Sequence, residues 1–131
     1  MSTLSRESLE AIAEKFHKQL NLPVIVLVSI VSKDNHLVSV QRSKELKDTF
    51  IIQFERDFLS ALAEEEMEAV IAHEMGHIWI FTHHPYLQTE ALANQKASEL
   101  VPRESLRKVY EKVWRIEGQK GTFDEFLARV E

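Results

Sequence analysis

The sequence of 131 residues lacks cysteine altogether and contains only three glycines and three prolines. Without cysteine there are no disulfide bonds and no thiolate ligands, so any transition-metal site must use His, Asp or Glu. The scarcity of glycine and proline argues against a loop-rich or all-β fold. Hydrophobic residues (44%) and charged residues (28%) occur in ordinary globular proportions. The length predicts a single domain over residues 1–131.

A surplus of positive charge and a long apolar segment are also absent. The 16 Lys and Arg residues against 21 Asp and Glu residues give a net charge of −5, so we expect no nucleic-acid partner. The longest apolar run, residues 22–31, contains Pro23 and is far shorter than the roughly 20 residues of a transmembrane helix. Because the N-terminus has no apolar signal core, we predict a cytoplasmic protein without a transmembrane segment. The oligomeric state stays open.

Hydrophobic periodicity predicts an α+β fold in which one helix and three strands precede a run of helices. Apolar residues at helical spacing indicate a first helix over residues 4–20, capped by Ser5 or Ser8 and closed by Asn21. Runs rich in β-branched residues predict a small three-stranded sheet whose first two strands form a hairpin. The three predicted strands are residues 23–31, 37–41 and 49–54.

The second half of the sequence is predicted to be helical. A short helical turn comes first, followed by a long helix that begins at three consecutive acidic residues and by three further helices. The predicted spans are residues 57–62, 64–82, 86–101, 102–117 and 123–130.

The long predicted helix contains the motif His-Glu-Met-Gly-His, which is H-E-x-x-H. His73 and His77 are four residues apart and therefore project from one helix face, where both can bind one metal ion. Zinc (Zn2+) is the natural ion for nitrogen and oxygen ligands. Glu74 would act as the general base on a water bound to this metal. Glu74 also falls within the apolar stripe of the helix, where an unpaired carboxylate would be costly.

Two histidines supply only half of a tetrahedral site, so a third protein ligand is needed and one position is left for water. Glu90 shares a predicted helix face with Ala93, Asn94 and Ala97, and the small residues would let this helix pack closely against the H-E-x-x-H helix. We expect Asn94 to accept a hydrogen bond from a ligand histidine and fix its tautomer. On this basis Asn94→Asp should raise zinc affinity and Asn94→Ala should lower it.

Residues 50–101 resemble the core of the gluzincin metallopeptidases, in particular the CAAX prenyl endopeptidase and heat-shock HtpX-type family. The similarity lies in a strand, a short leucine-containing turn, acidic residues at 64–66, and the helix sequence Ala-Val-Ile-Ala-His-Glu-Met-Gly-His. The family places its third ligand in an E-x-x-A-D-x-x-A helix, which corresponds here to Glu90 and its neighbours, with Asn94 in place of Asp. Family members are largely integral membrane proteins. Because only 12 residues separate His77 from Glu90 and no membrane helix is present, the chain is more similar to the soluble minigluzincins.

The resemblance implies a minimal zinc metallopeptidase, a hydrolase of peptide bonds with Glu74 as its catalytic base. It implies His73, His77 and Glu90 as zinc ligands, and a peptide or unfolded protein as substrate. In this family the substrate lies in extended form beside an edge strand, and residues 37–41 and 49–54 are the candidate edges.

Two alternatives to an active protease remain. One is a latent enzyme in which the C-terminal segment 118–131 covers the cleft through Phe123, Phe126 and Leu127. The other is a non-catalytic zinc-binding domain with a regulatory or interaction role. The presence of Glu74 favours chemistry, since a pure binding domain needs no base beside the metal. A donor for the oxyanion would also be required, and the candidates are His83, His84, Tyr86 and Tyr110.

Overall fold

The computed structural model describes residues 6–34, 36–119 and 121–130, and its fold is α+β, as predicted. The helices are α1 (Arg6–Leu20), α2 (Arg56–Ser60), α3 (Glu64–His83), α4 (Glu90–Ala97), α5 (Arg103–Ile116) and α6 (Phe123–Val130). The strands are β1 (Ile25–Val31), β2 (Val38–Arg42) and β3 (Thr49–Glu55). A short 3-10 helix, Pro85–Leu87, lies between α3 and α4. None of the helices in the described ranges combines the length and hydrophobicity that a bilayer crossing requires.

The sheet has the order β1-β3-β2, with β1 parallel and β2 antiparallel to β3. The predicted hairpin between the first two strands is therefore wrong, because β2 pairs with β3. Residues 49–54 are also wrong as a candidate edge, since β3 is the central strand and buries Phe50, Ile52 and Phe54. Of the two candidates, only β2 is an edge strand.

The core lies between one face of the sheet and the helices α1 and α3. Phe16 of α1, Ile52 and Phe54 of β3, and Ile71 of α3 have no exposed surface. Helix α3 also contacts α4 and α5, so it is the central helix of the fold. This position explains why α3 is apolar on several sides, as a buried helix must be.

The first helix ends as the sequence predicts, and one of its two candidate N-caps is wrong. Asn21 has a positive φ of 50°, the left-handed conformation that closes a helix. Ser8 lies inside α1 and so is not its N-cap. Ser5, and the predicted start of the helix at residue 4, fall outside the described residues.

The helix predicted over residues 86–101 is shorter than expected. Residues 85–87 form the 3-10 helix, and α4 begins only at Glu90. Thr89 ends the preceding segment because its extended backbone and its side chain, which accepts a hydrogen bond from the Leu92 N–H at 3.0 Å, make it an N-cap. Glu90 therefore lies at the first position of α4.

Candidate metal centre

Three side chains from α3 and α4 converge on one point. His73 and His77 project from the same face of α3, and their ring centroids are 4.8 Å apart. Glu90 Oε1 lies 2.7 Å from His73 Nε2 and 3.5 Å from His77 Nε2. One donor atom from each of the three residues lies within 4.8 Å of the others. The structure thus brings together the three residues that the sequence singles out as ligands.

The close approach of α3 and α4 depends on Gly76 and Ala93. A Cβ atom at Gly76 would lie 2.6 Å from the carbonyl oxygen of Ala93. Ala93 and Ala97 are fully buried against α3. This contact agrees with the expected packing of small residues, and it sets Glu90, three residues before Ala93, over the two histidines.

A side-chain amide holds the Nδ1 atom of each imidazole. His73 Nδ1 lies 2.7 Å from Asn94 Oδ1, and His77 Nδ1 lies 2.7 Å from Gln88 Oε1. Each amide nitrogen donates to a backbone carbonyl, Asn94 Nδ2 to Val130 at 2.6 Å and Gln88 Nε2 to His77 at 2.8 Å. Because a carbonyl can only accept, the amide oxygens must face the imidazoles, and both Nδ1 atoms must donate.

In neutral imidazoles these hydrogen bonds leave an Nε2 lone pair directed at Glu90, whereas in a protonated imidazole Nε2–H donates to the Glu90 carboxylate. A lone pair facing a carboxylate oxygen at 2.7 Å is repulsive unless a proton or cation lies between them. Two imidazole nitrogens and one carboxylate oxygen, with their tautomers fixed from behind, form a donor set that suits zinc. The residues present therefore fit the predicted ion.

The charges of the site follow from burial and from these contacts. Glu74 is only 6% exposed, and burial raises the pKa of its carboxyl group against the opposing effect of His73 and His77. Hydrogen bonds from His73 and His77 hold the pKa of Glu90 well below its usual range. Burial lowers the pKa of His77, but hydrogen bonds to Glu90 and Gln88 outweigh it, and the net change is upward.

The predicted contact between Asn94 and a ligand histidine is present, and Asn94 has two further partners. Its Nδ2 atom donates to Val130 and to the hydroxyl of Tyr110 at 3.0 Å. Asn94 is 8% exposed, so these bonds join α4, α5 and α6 in a buried network.

Gln88 was not singled out in the sequence. It lies in the loop before α4, in neither of the two motifs. In the sequence Gln88 is only an amide residue 11 positions after His77. Its contact with His77 can be recognised only once the loop is seen to fold back toward α3.

The three residues border a cleft of about 630 Å³ between β2, α3, α5 and α6. Its lining is mainly apolar, and Glu74 lies beside the three candidate ligands. The apolar lining includes Val38, Val40, Phe58, Val70, Leu106, Val109, Val113 and Phe126. A cleft of this kind excludes water from most of a bound apolar segment while leaving the polar centre accessible.

Strand β2 lies at the edge of the sheet, and its residues line this cleft. The Glu55 N–H donates to the Leu37 carbonyl, and the Ser43 N–H donates to that of Thr49. Hydrogen-bonded pairs alternate along antiparallel strands, so Val38, Val40 and Arg42 turn their N–H and C=O groups away from β3. The open edge of β2 can therefore pair with an extended peptide.

Three of the candidate oxyanion donors lie outside the cleft. His83 stacks on Trp79 with centroids 4.4 Å apart, and His84 lies 5.8 Å from the same ring. Tyr86 is 89% exposed at the surface. Tyr110 does line the cleft, but its hydroxyl contacts Asn94 and lies 3.4 Å from His73 Nδ1, away from Nε2. Tyr110 therefore supports His73 from behind and does not face the Nε2 side, where the candidate ligands meet.

The C-terminal helix contributes to the wall of the cleft. Phe126 and Val130 line it, and Leu127 is buried. Phe126 packs against Tyr110 with ring centroids 5.8 Å apart, and Phe123 packs against Trp114 at 5.6 Å. Of the three anchors named for the latent alternative, Phe126 lines the cleft, whereas Phe123 and Leu127 are not among its lining residues.

An H-E-x-x-H helix and a glutamate helix beside a small sheet define the metallopeptidases of the zincin type. The sequence profile of peptidase family M48 matches residues 6–118. The chain belongs to peptidase family M48, and it is a metallopeptidase whose substrates are peptides.

The fold is also similar to the crystal structure of the metallopeptidase zymogen of Pyrococcus abyssi abylysin. The TM-score is 0.57 at 19% sequence identity, over 87% of this chain and 98% of that chain. At this identity the likeness concerns the fold alone. No curated protein matches the chain.

Proposed function

We propose that this M48 metallopeptidase is a zinc-dependent endopeptidase that cleaves extended peptides or unfolded protein segments. In this proposal residues 1–131 form a single catalytic domain, His73, His77 and Glu90 hold the zinc ion, and Glu74 is the general base. The observation that carries the proposal is the convergence of two Nε2 lone pairs and one carboxylate oxygen, with both tautomers set by amides. Bound zinc supplies Lewis-acid polarisation of a water molecule and of the scissile carbonyl.

Strand β2 and Glu74 have separate roles in the proposed reaction. The free backbone groups of β2 orient the peptide, since Val38, Val40 and Arg42 face the open edge. Glu74 lies in the cleft beside the ligands, where its carboxylate can take a proton from the attacking water. When the peptide C–N bond breaks, the same carboxyl group returns that proton to the leaving amine nitrogen.

Asn94 and Gln88 hold the ligand imidazoles in orientation from behind. Each accepts a hydrogen bond from an Nδ1–H group at 2.7 Å, which keeps Nε2 directed at the centre. The apolar walls exclude water from the rest of the peptide.

A Glu74→Gln variant tests the catalytic role. The amide keeps the shape of the side chain but cannot accept the proton, so hydrolysis should fall by about 100-fold or more while zinc stays bound. Metal content measured on the purified protein should be one zinc per chain in parent and variant. Glu68→Gln, the same change in α3 at a residue outside the cleft, is the matched control and should retain activity.

Two outcomes would contradict the proposal. If Glu74→Gln cleaves peptides as fast as the parent, Glu74 is not the base. If the parent binds one zinc ion and cleaves no peptide, the non-catalytic or latent alternatives replace the active endopeptidase.

One observation favours a latent form of the same enzyme as the second candidate. Phe126 and Val130 of α6 line the cleft, and the Val130 carbonyl bonds to Asn94. A helix held in this way narrows the space for substrate. Phe126→Ala should then raise peptide hydrolysis relative to the parent, and unchanged hydrolysis would speak against latency.

A further inference from the structure

One end of the cleft is formed by Arg42, the last residue of β2, and Phe81, in the last turns of α3. The guanidinium carbon of Arg42 lies 5.3 Å from the centroid of the Phe81 ring, within the range of a cation–π contact. Both side chains are exposed, and both line the cleft. Arg42 is the only arginine or lysine that lines it in the described part of the chain.

Arg42 has no acidic partner in the part of the chain that the structure describes. Among residues 6–34, 36–119 and 121–130, no carboxylate forms an ion pair with it. The aromatic ring contacts the face of a guanidinium, whereas the N–H donors lie in the guanidinium plane. These donors can therefore still bind a carboxylate bidentately. The contact with Phe81 therefore positions an unused donor group at the cleft.

The distance of this group from the reaction centre follows from the helix. Phe81 comes four residues after His77, which is about one helical turn or roughly 6 Å along α3. An extended peptide advances about 3.3 Å per residue, so the group lies about two residues from the scissile bond. Because the backbone of Arg42 faces the open edge, a peptide paired with β2 passes directly beside it.

We propose that Arg42 is a specificity-determining residue that binds an Asp or Glu side chain of the substrate about two residues from the scissile bond. This inference rests on the proposed function. The rest of the lining is mainly apolar, and among the described residues no other lysine or arginine borders the cleft to compete for such a carboxylate. The protein carries a net charge of −5, which disfavours the binding of acidic peptides in general. A preference for Asp or Glu in the substrate must therefore come from a local cation such as Arg42.

The test is a charge swap between enzyme and substrate. Peptides with constant apolar flanks carry Glu, Gln or Lys at each of the three positions on either side of the scissile bond, and kcat/KM is measured for each. The parent should prefer Glu over Lys by up to about five-fold at one position, the upper end of what an exposed ion pair contributes. Arg42→Gln should abolish this preference, and Arg42→Glu should invert it.

Two further variants complete the design. Lys44→Glu makes the same charge reversal two residues away and outside the cleft, so it should keep the parental preference. Glu74→Gln allows binding of fluorescent peptides to be measured without turnover, and there too Glu peptides should bind more tightly than Lys peptides. Adding Arg42→Gln to Glu74→Gln should remove that difference.

The outcomes separate this inference from the proposed function. Cleavage without a charge preference, or with a preference that survives Arg42→Gln, would overturn the role of Arg42 and leave the peptidase intact. Binding that depends on Arg42 but leads to no cleavage would support the role of Arg42 and overturn the proposed activity. If peptides are neither cleaved nor distinguished by charge, both proposals fail.

Discussion

The contact between Gly76 and Ala93 allows a quantitative prediction for Gly76→Ala. The new Cβ atom would lie 2.6 Å from the Ala93 carbonyl oxygen and 3.3 Å from its carbonyl carbon and Cα. These are backbone atoms, so no side-chain rotation relieves the overlap. The helices α3 and α4 must separate until the shortest contact approaches 3.4 Å, where ordinary van der Waals distances begin.

Two opposing effects act on stability. Alanine favours the helix over glycine by about 1 kcal/mol. Overpacking of a tight interior costs about 1–3 kcal/mol. We therefore expect Gly76→Ala to be less stable than the parent by up to about 2 kcal/mol in urea unfolding of the metal-free protein.

The effect on metal binding should be larger. Helix α4 carries Glu90 as a candidate ligand and Asn94 as the partner of His73, so its displacement disturbs both. Losses of this kind weaken metal affinity by about 10- to 100-fold. Competition with a chelator measures the zinc affinity. Glu68→Ala adds the same residue to α3 away from α4 and should leave the affinity unchanged.

The reasoning is refuted by one combination of results. If Gly76→Ala gains the stability that helix propensity predicts and binds zinc as tightly as the parent, the approach of α4 does not depend on glycine at this position. A loss of stability with unchanged zinc affinity would show that α4 does not position the third ligand.

Three further predictions concern Asn94, Gln88 and Glu66. Asn94→Ala should lower zinc affinity by about 10- to 100-fold in chelator competition. Asn94→Asp should raise zinc affinity, as the sequence predicts, and because its second oxygen would face the Val130 carbonyl in place of a donor at 2.6 Å, we also expect faster hydrogen exchange in α6. Gln88→Ala removes two hydrogen bonds to His77 and should therefore weaken zinc binding. Because Gln88 is exposed, the free energy of unfolding in urea should change by less than about 1 kcal/mol. Burial raises the pKa of Glu66, but its hydrogen bond and ion pair with Lys112 at 2.6 Å outweigh this, and the pKa lies below the usual 4.5. Its stabilising effect is therefore complete above about pH 4.5 and lost as pH falls through the lower folded value. Glu66→Gln should unfold more easily than the parent at pH 7 and show a smaller loss of stability below pH 4.5.

Helical periodicity predicted the parts of the site that lie within one element. The four-residue spacing of His73 and His77 places both on one face of a helix whatever the rest of the chain does. The same rule relates Glu90 to Asn94, and the small residues beside them predicted close packing. These inferences depend only on local backbone geometry, which sequence spacing specifies.

The order of the strands could not be read in this way. Strands at residues 23–31, 37–41 and 49–54 are compatible with several pairings, since the side-chain alternation of each strand is the same in all of them. The structure places β3 in the centre of the sheet, and Phe50, Ile52 and Phe54 of this strand are buried. This pairing makes β2 the free edge along the cleft.

The contacts that complete the site join segments that are distant in the sequence. Asn94 meets Val130 across 36 residues, and Glu66 meets Lys112 across 46. Gln88 reaches His77 only because Thr89 caps α4 and the loop turns back toward α3. The sequence by itself therefore determined the class of fold and the candidate ligand residues, because these follow from the spacing of residues within single helices and strands. Only the packing of those elements decided which edge faces the cleft and which side chains hold the candidate ligands in place, because such contacts depend on distances that no local pattern contains.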